Sequence, residues 1–240
     1  MSQSFFIWNG IDCRSRGVIM RGPAPIIRAE ERVKHVEIPG RAGDLTEVEG
    51  ENIFNSYIQT ITISVRDKMN VRNIYKWLRG SGYVTFSGEP DRKQAARVIG
   101  AITLNRVSRN IDHWAGEVQF YCQPFKQLLQ EMAETVDTSG TVIRNDGDVT
   151  CYPRITVNAV DAGQDIVIAM GGKALRINMT GMADTGCSVD SQTMMVTNYS
   201  GAADLTGLTS GSFPELQPGN NTVVFTNVAS LVIEKRERYL

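Results

Sequence analysis

The chain has 240 residues, 42% hydrophobic and 21% charged, with a formal net charge of -1. That is ordinary globular composition, with enough apolar side chains for one large or two small cores, and it excludes a disordered tail or a collagenous repeat. No window approaches the roughly 18 to 20 apolar residues of a membrane span, and Met1–Asn9 lacks the basic start and long apolar run of a signal peptide. The expectation is therefore a chain made and used in the cytosol, with no membrane insertion.

In chain order, the apolar run Phe5-Phe6-Ile7-Trp8 ends in Asn9-Gly10, a dipeptide that takes positive φ readily and signals a hairpin. Val36–Leu45 follows, where Pro39, Gly40 and Gly43 interrupt a strand with a stiff, tightly turning arm. Ile58–Val65 alternates, placing Ile61, Ile63 and Val65 on one face and Thr60, Thr62 and Ser64 on the other, as a half-buried strand requires. From Asn70 to Arg79 the period changes: Val71, Ile74, Tyr75 and Leu78 fall at helical spacing, Asp67 or Asn70 can cap the start, and Gly80 can end it. Tyr83–Phe86, Arg97–Leu104 and Glu117–Cys122 read as further strands. Leu128–Val136 fits a short helix or an extended linker. Beyond it come short strands separated by Gly, Asn and Asp: Arg154–Val157, Ile166–Met170, Leu175–Met179, Met194–Thr197, Thr222–Thr226 and Ser230–Lys235. The predicted class is mainly β with one short helix, a sandwich or barrel-like N-terminal domain carrying that helix and a C-terminal antiparallel β-sandwich.

Charge divides the chain in the same way. Residues 1–127 carry 18 Lys and Arg against 13 Asp and Glu, a balance of +5, while residues 128–240 carry 7 against 13, a balance of -6. Trp8, Trp77 and Trp114 all lie in the first part. The break near Phe125–Ser139 suggests two independently built domains, 1–127 and 128–240. That balance is modest and the arginines of the first look scattered rather than stacked on one helix face, which favours a solvated surface over nucleic-acid contact. Complementary domains could attract each other or neighbouring copies, in which case assembly should respond to salt.

Reactive chemistry is hard to find. His35 and His113 stand in no zinc-binding spacing, the four cysteines Cys13, Cys122, Cys151 and Cys187 occur singly, and there is no G-x-S-x-G elbow, P-loop or dinucleotide fingerprint. A glycosidase needs two facing carboxylates, which a sequence cannot place, and Glu47, Glu49 and Glu51 alternate as an exposed edge would. The cysteines read as reduced packing residues. No metal, cofactor or catalytic group is expected, and the protein is not expected to be an enzyme; an envelope hydrolase is the reading this disfavours.

Several segments, taken in order, carry a resemblance. They are Asn9-Gly10; Ile38-Pro39-Gly40-Arg41-Ala42-Gly43; Glu89-Pro90 after the helix; and Cys122-Gln123-Pro124. This set is similar to the siphophage distal tail protein family over most of residues 1–127. It continues more weakly in Asn145-Asp146-Gly147, Tyr152-Pro153-Arg154-Ile155 and Phe213–Asn221. The resemblance implies a virion protein, assembled in the host cytoplasm and forming a ring-shaped hub, usually of six copies, around a channel for DNA. Its first domains would line the channel and its galectin-like second domains would project outward. The implied partners are the tail tube protein, the tail-tip or tail-associated protein and, in some members, a receptor-binding protein, with at most transient contact with the passing genome. The short second domain lacks an inserted module, which puts a carried adhesin in doubt.

If function is assembly, strand edges at the boundary between copies must be paired or covered. The segment Pro39, Gly40, Arg41, Gly43, Asp44, Glu47, Glu49 and Glu51 is then the candidate arm crossing that boundary, with Arg41 suited to a carboxylate on a neighbour through its planar guanidinium. The alternatives are an ordinary surface hairpin for the arm and, for the protein, a carbohydrate-binding module in host-surface adsorption. The latter would need exposed aromatics among Tyr152, Tyr199, Phe213, Phe225 and Tyr239.

Overall fold

A computed structural model describes residues 4–48, 50–159, 161, 163–180 and 186–240. The chain forms two compact units, Met1–Leu129 together with Leu240, and Gln130–Tyr239.

In the first unit the strands are β1 Phe6–Trp8, β2 Ile11–Asp12, β3 Val18–Met20, β4 Val33–Val36, β5 Leu45–Val48, β6 Tyr57–Arg66, β7 Ser81–Phe86, β8 Arg92–Ile99, β9 Leu104–Arg106 and β10 His113–Leu128, with one helix, α1 Lys68–Trp77. Eight strands make a single antiparallel sheet in the order β2-β1-β7-β8-β10-β6-β3, with β9 added on β10. The sheet curls into a half-barrel. The Asn9-Gly10 turn has φ of 50° and 77° at its two central residues, the geometry that matches strand twist in a two-residue hairpin. Ile61, Ile63 and Val65 of β6 are buried, as their alternation requires. Ile74 and Leu78 of the α1 segment join the same core. There Phe6 stacks on Trp77 at 5.7 Å, and Phe6, Trp8 and Phe86 surround Phe120 at 5.4 to 5.8 Å.

Three expectations need correction. Helix α1 starts and stops two residues earlier than its periodicity indicates. Its first amide, Lys68 N–H, is capped at 2.8 Å by the Asp112 carboxylate, 44 residues on. The proposed strand Arg97–Leu104 is two elements, because the chain turns at Gly100, φ 69°, between β8 and β9. Of the two readings offered for Leu128–Val136 the extended one holds: Leu128 ends β10, and Glu134–Val136 is a strand of the second unit. Strand β10 also outruns the expected Glu117–Cys122. Its pairing with β8 shifts register between Cys122 and Lys126, where Pro124 could not donate to the ladder.

The second unit comprises β11 Glu134–Val136, β12 Thr141–Asn145, β13 Arg154–Ala159, β14 Ile166–Met170, β15 Lys173–Ile177, β16 Gly186–Asp190, β17 Met195–Asn198, β18 Thr209–Gly211, β19 Gly219–Thr226 and β20 Val228–Glu234. They form two antiparallel five-stranded sheets, β11-β20-β13-β16-β17 and β12-β19-β14-β15-β18. Inward residues of both sheets, among them Ile155, Val157, Ile166, Ile168, Leu175, Val189, Val223 and Leu231, form one buried cluster. Alternating burial along β14 and β19 is the mark of a sandwich with one wet face per sheet.

Candidate assembly surface

The segment singled out in the sequence is a free-standing hairpin. Among the described residues strands β4 and β5 pair only with each other, in the register Val33↔Val48, Lys34↔Glu47, His35↔Thr46 and Val36↔Leu45. Valine and threonine favour the extended backbone. Pro39 then stiffens the tip, and Gly40 and Gly43 turn it at φ of 84° and 80°, a region that other residues enter at a cost. The turn closes through Arg41 N–H donating to the Ile38 carbonyl at 3.1 Å. The base is fastened more firmly: Arg32 N–H donates to the Ile53 carbonyl at 2.9 Å, Asn55 N–H to the Glu30 carbonyl at 2.8 Å, and Phe54 meets Phe125 edge-on at 5.7 Å.

This arrangement brings Pro39, Gly40, Arg41, Gly43 and Asp44 together at the tip, puts Glu47 in β5 opposite Lys34, and leaves Glu51 in the turn beyond. All are exposed. Glu49 lies outside the described residues. Ile38, Leu45 and Val48 are 38%, 38% and 52% exposed. The hairpin therefore carries open apolar side chains, and among the described residues its two outer strand edges pair with no further strand.

The other residues of the resemblance turn out to hold backbone together. Glu89 accepts from the nearly buried Lys126 ammonium at 2.7 Å and from Arg92 at 3.2 Å, tying the β7–β8 connection to the end of β10. Beside it Gln94, buried on β8, bonds the Tyr57 hydroxyl and the Gln123 carbonyl. In the second unit Asn145 is buried. Its amide donates to the carbonyls of Val149 and Leu216 at 3.2 and 3.0 Å, while its oxygen accepts from Gly147 N–H at 2.9 Å. Asn221 in turn closes the Gln217 loop.

What sequence reading missed is a cationic row on α1. Lys68, Arg72 and Lys76, four apart and hence on one face, are exposed, so two lysines complete with a single arginine a row that scattered arginines alone do not make. The i, i+4 spacing is the signal in the sequence, interleaved with the apolar positions Val71, Ile74, Tyr75 and Leu78.

The reactive groups are placed for packing. All four cysteines are free and buried. Burial pushes the Cys122, Cys151 and Cys187 thiols up to about 12, too high for a thiolate nucleophile near neutral pH. His35 and His113 stand on separate strands, β4 and β10, beside Thr46 and Arg21. Among the described residues no three His, Cys, Asp or Glu side chains gather as metal ligands, and no helix is long and apolar enough to cross a membrane.

No family model matches the chain, and neither does any curated protein sequence. Solved structures do. The chain superposes with a TM-score of 0.82 and 18% identity, over 100% of both chains, on SPP1 Dit (gp 19.1), described as a paradigm of the hub adsorption apparatus in phages infecting Gram-positive bacteria. A chain from the baseplate of phage P2 in its activated conformation with Ca matches at a TM-score of 0.51 and 6% identity, over 97% of this chain and 98% of that one. The protein therefore has the fold of a phage hub protein from end to end.

Proposed function

We propose that this protein is a distal tail protein of a siphophage, a structural hub of the tail tip. The observation that carries the reading is the superposition on SPP1 Dit over the whole of both chains. The ordered motifs of residues 1–127 point the same way. In this reading six copies close into a ring, the first units line a channel that continues the tail tube, and the second units face outward. The ring joins the tube protein to the tail-tip protein and offers its rim to receptor-binding proteins. Closure limits copy number, because a head-to-tail interface that returns on itself leaves no free surface. The β4–β5 arm, from Pro39 through Glu51, crosses the boundary between copies.

The role is architectural rather than enzymatic, and buried thiols and separated histidines accord with it. DNA passing through the bore makes transient contact only, since each neutralised phosphate would add affinity and slow it. The sugar-binding alternative loses one platform: the Arg238 guanidinium covers the Tyr152 ring at 4.9 Å. Tyr199, 61% exposed, remains. Light scattering on the purified protein tests the reading. A closed oligomer of defined mass supports it; a monomer at all concentrations, even with tube and tip proteins added, overturns it.

A further inference from the structure

Resting on the ring reading above, we propose that the acidic tip of the β4–β5 arm of one copy docks on the cationic outer face of α1 in the next. Helix α1 contains no acidic residue, and Lys68, Arg72 and Lys76 run along one face about 6 Å apart, with Tyr75, 39% exposed, beside them. Arg66 and Arg79, both exposed, flank the row. None of these five cations forms an ion pair among the described residues. Two acids lie at the Lys68 end: Asp67, between Arg66 and Lys68, and Asp112, which accepts from Lys68 N–H at 2.8 Å and the Trp114 indole N–H at 2.7 Å and also faces the Lys68 charge, so the row is most open at Arg72 and Lys76.

The arm is the complement. Residues 30–51 hold seven Asp and Glu against three Lys and Arg. Glu37 and Asp44 follow directly on the last strand pair, Val36↔Leu45, so two like charges meet across the hairpin end, a placement that destabilises an isolated hairpin. Both are exposed and neither forms an ion pair among the described residues, although Arg41 is in the same turn. A cation from outside relieves that repulsion. Ile38 and Leu45 supply apolar area beside the acids, as Tyr75 does beside the cations. A nucleic acid could satisfy the helix but would leave the arm unmatched, whereas a second copy satisfies both at once and generates the head-to-tail interface that a ring requires.

The test uses two charge-reversed full-length variants, Glu37→Lys with Asp44→Lys, and Arg72→Glu with Lys76→Glu. All four positions are exposed, so each variant should keep the wild-type unfolding transition. Each alone should lose the assembled species in sedimentation, and an equimolar mixture should restore it, because every altered arm then finds an altered helix. Such a ring must alternate and so contain an even number of copies. Rings that persist in either variant alone overturn the docking and leave the hub reading intact, as does a mixture that stays monomeric. Loss of assembly in the helix variant only would assign that face to another acidic partner and also overturns it. A wild-type chain that never associates defeats both.

Discussion

Replacing Glu89 by Gln should destabilise the first unit more than replacing its partner Lys126 by Met. Lys126 has 6% of its side chain exposed and donates to Glu89 at 2.7 Å, with an oxygen of Leu240, the last residue of the sequence, at 3.4 Å. Glu89→Gln removes the nearest counter-charge of a buried ammonium. Breaking a buried pair this way costs about 3–5 kcal/mol, and the Gln amide and the Leu240 oxygen, which still accept from it, bring the figure to about 2–3 kcal/mol. Lys126→Met instead removes the buried charge and leaves Glu89, 23% exposed, with Arg92 at 3.2 Å, at a cost below about 1 kcal/mol. The double variant should resemble Lys126→Met. All three tryptophans lie in the first unit, so thermal unfolding followed by tryptophan fluorescence reads this unit alone. At roughly 4 °C per kcal/mol, Glu89→Gln should lower the midpoint by about 8–12 °C. Equal losses for the two single variants would refute the reasoning, since the buried ammonium would then have needed no counter-charge.

Gly40→Val with Gly43→Val forces two β-branched residues to positive φ at about 1–2 kcal/mol each. No atom lies within 4 Å of either added Cβ, so the folded core should survive while sedimentation shows loss of the oligomer; unchanged sedimentation counts against the arm. Asn145→Ala removes three hydrogen bonds in the second unit and should cost about 3 kcal/mol in a circular-dichroism melt, with the tryptophan transition unmoved. Burial works to raise the Asp190 pKa, but it is outweighed by the Arg236 guanidinium, 2.9 Å from each carboxylate oxygen, and by the amides of Thr193 and Gln192, so the pKa ends lowered. A depressed folded pKa stabilises above the unfolded value of about 4 and loses that contribution as pH falls through the folded one. Arg236→Gln should therefore destabilise the second unit at pH 7, and the difference from wild type should shrink below about pH 4; a gap constant to pH 2 would argue against this.

Elements whose signal is local were legible in the sequence. Ile61, Ile63 and Val65 alternate and are buried, and Asn9-Gly10 makes its hairpin. Misplaced elements depend on distant residues. The start of α1 is capped by Asp112, and the β8–β10 register shifts around Pro124, neither of which periodicity can register. Strand β16, missed altogether, opens at Gly186, where a Cβ would lie 2.5 Å from the Tyr199 ring and 2.6 Å from the Val157 carbonyl; a glycine required by close approach looks like a turn signal from the sequence. The hairpin turn was recognisable from Pro39, Gly40 and Gly43, the two glycines taking positive φ. The cationic row on α1 was not, because it stands out only once no ion pair to it is found among the described residues.

Negative-stain microscopy of the purified protein measures the central claim most directly. The account predicts six-fold rings with a stain-filled hole, dispersing as salt is raised because the proposed contacts are between exposed charges. Fields of compact single particles at high concentration and low salt, with or without tube and tip proteins, would contradict it.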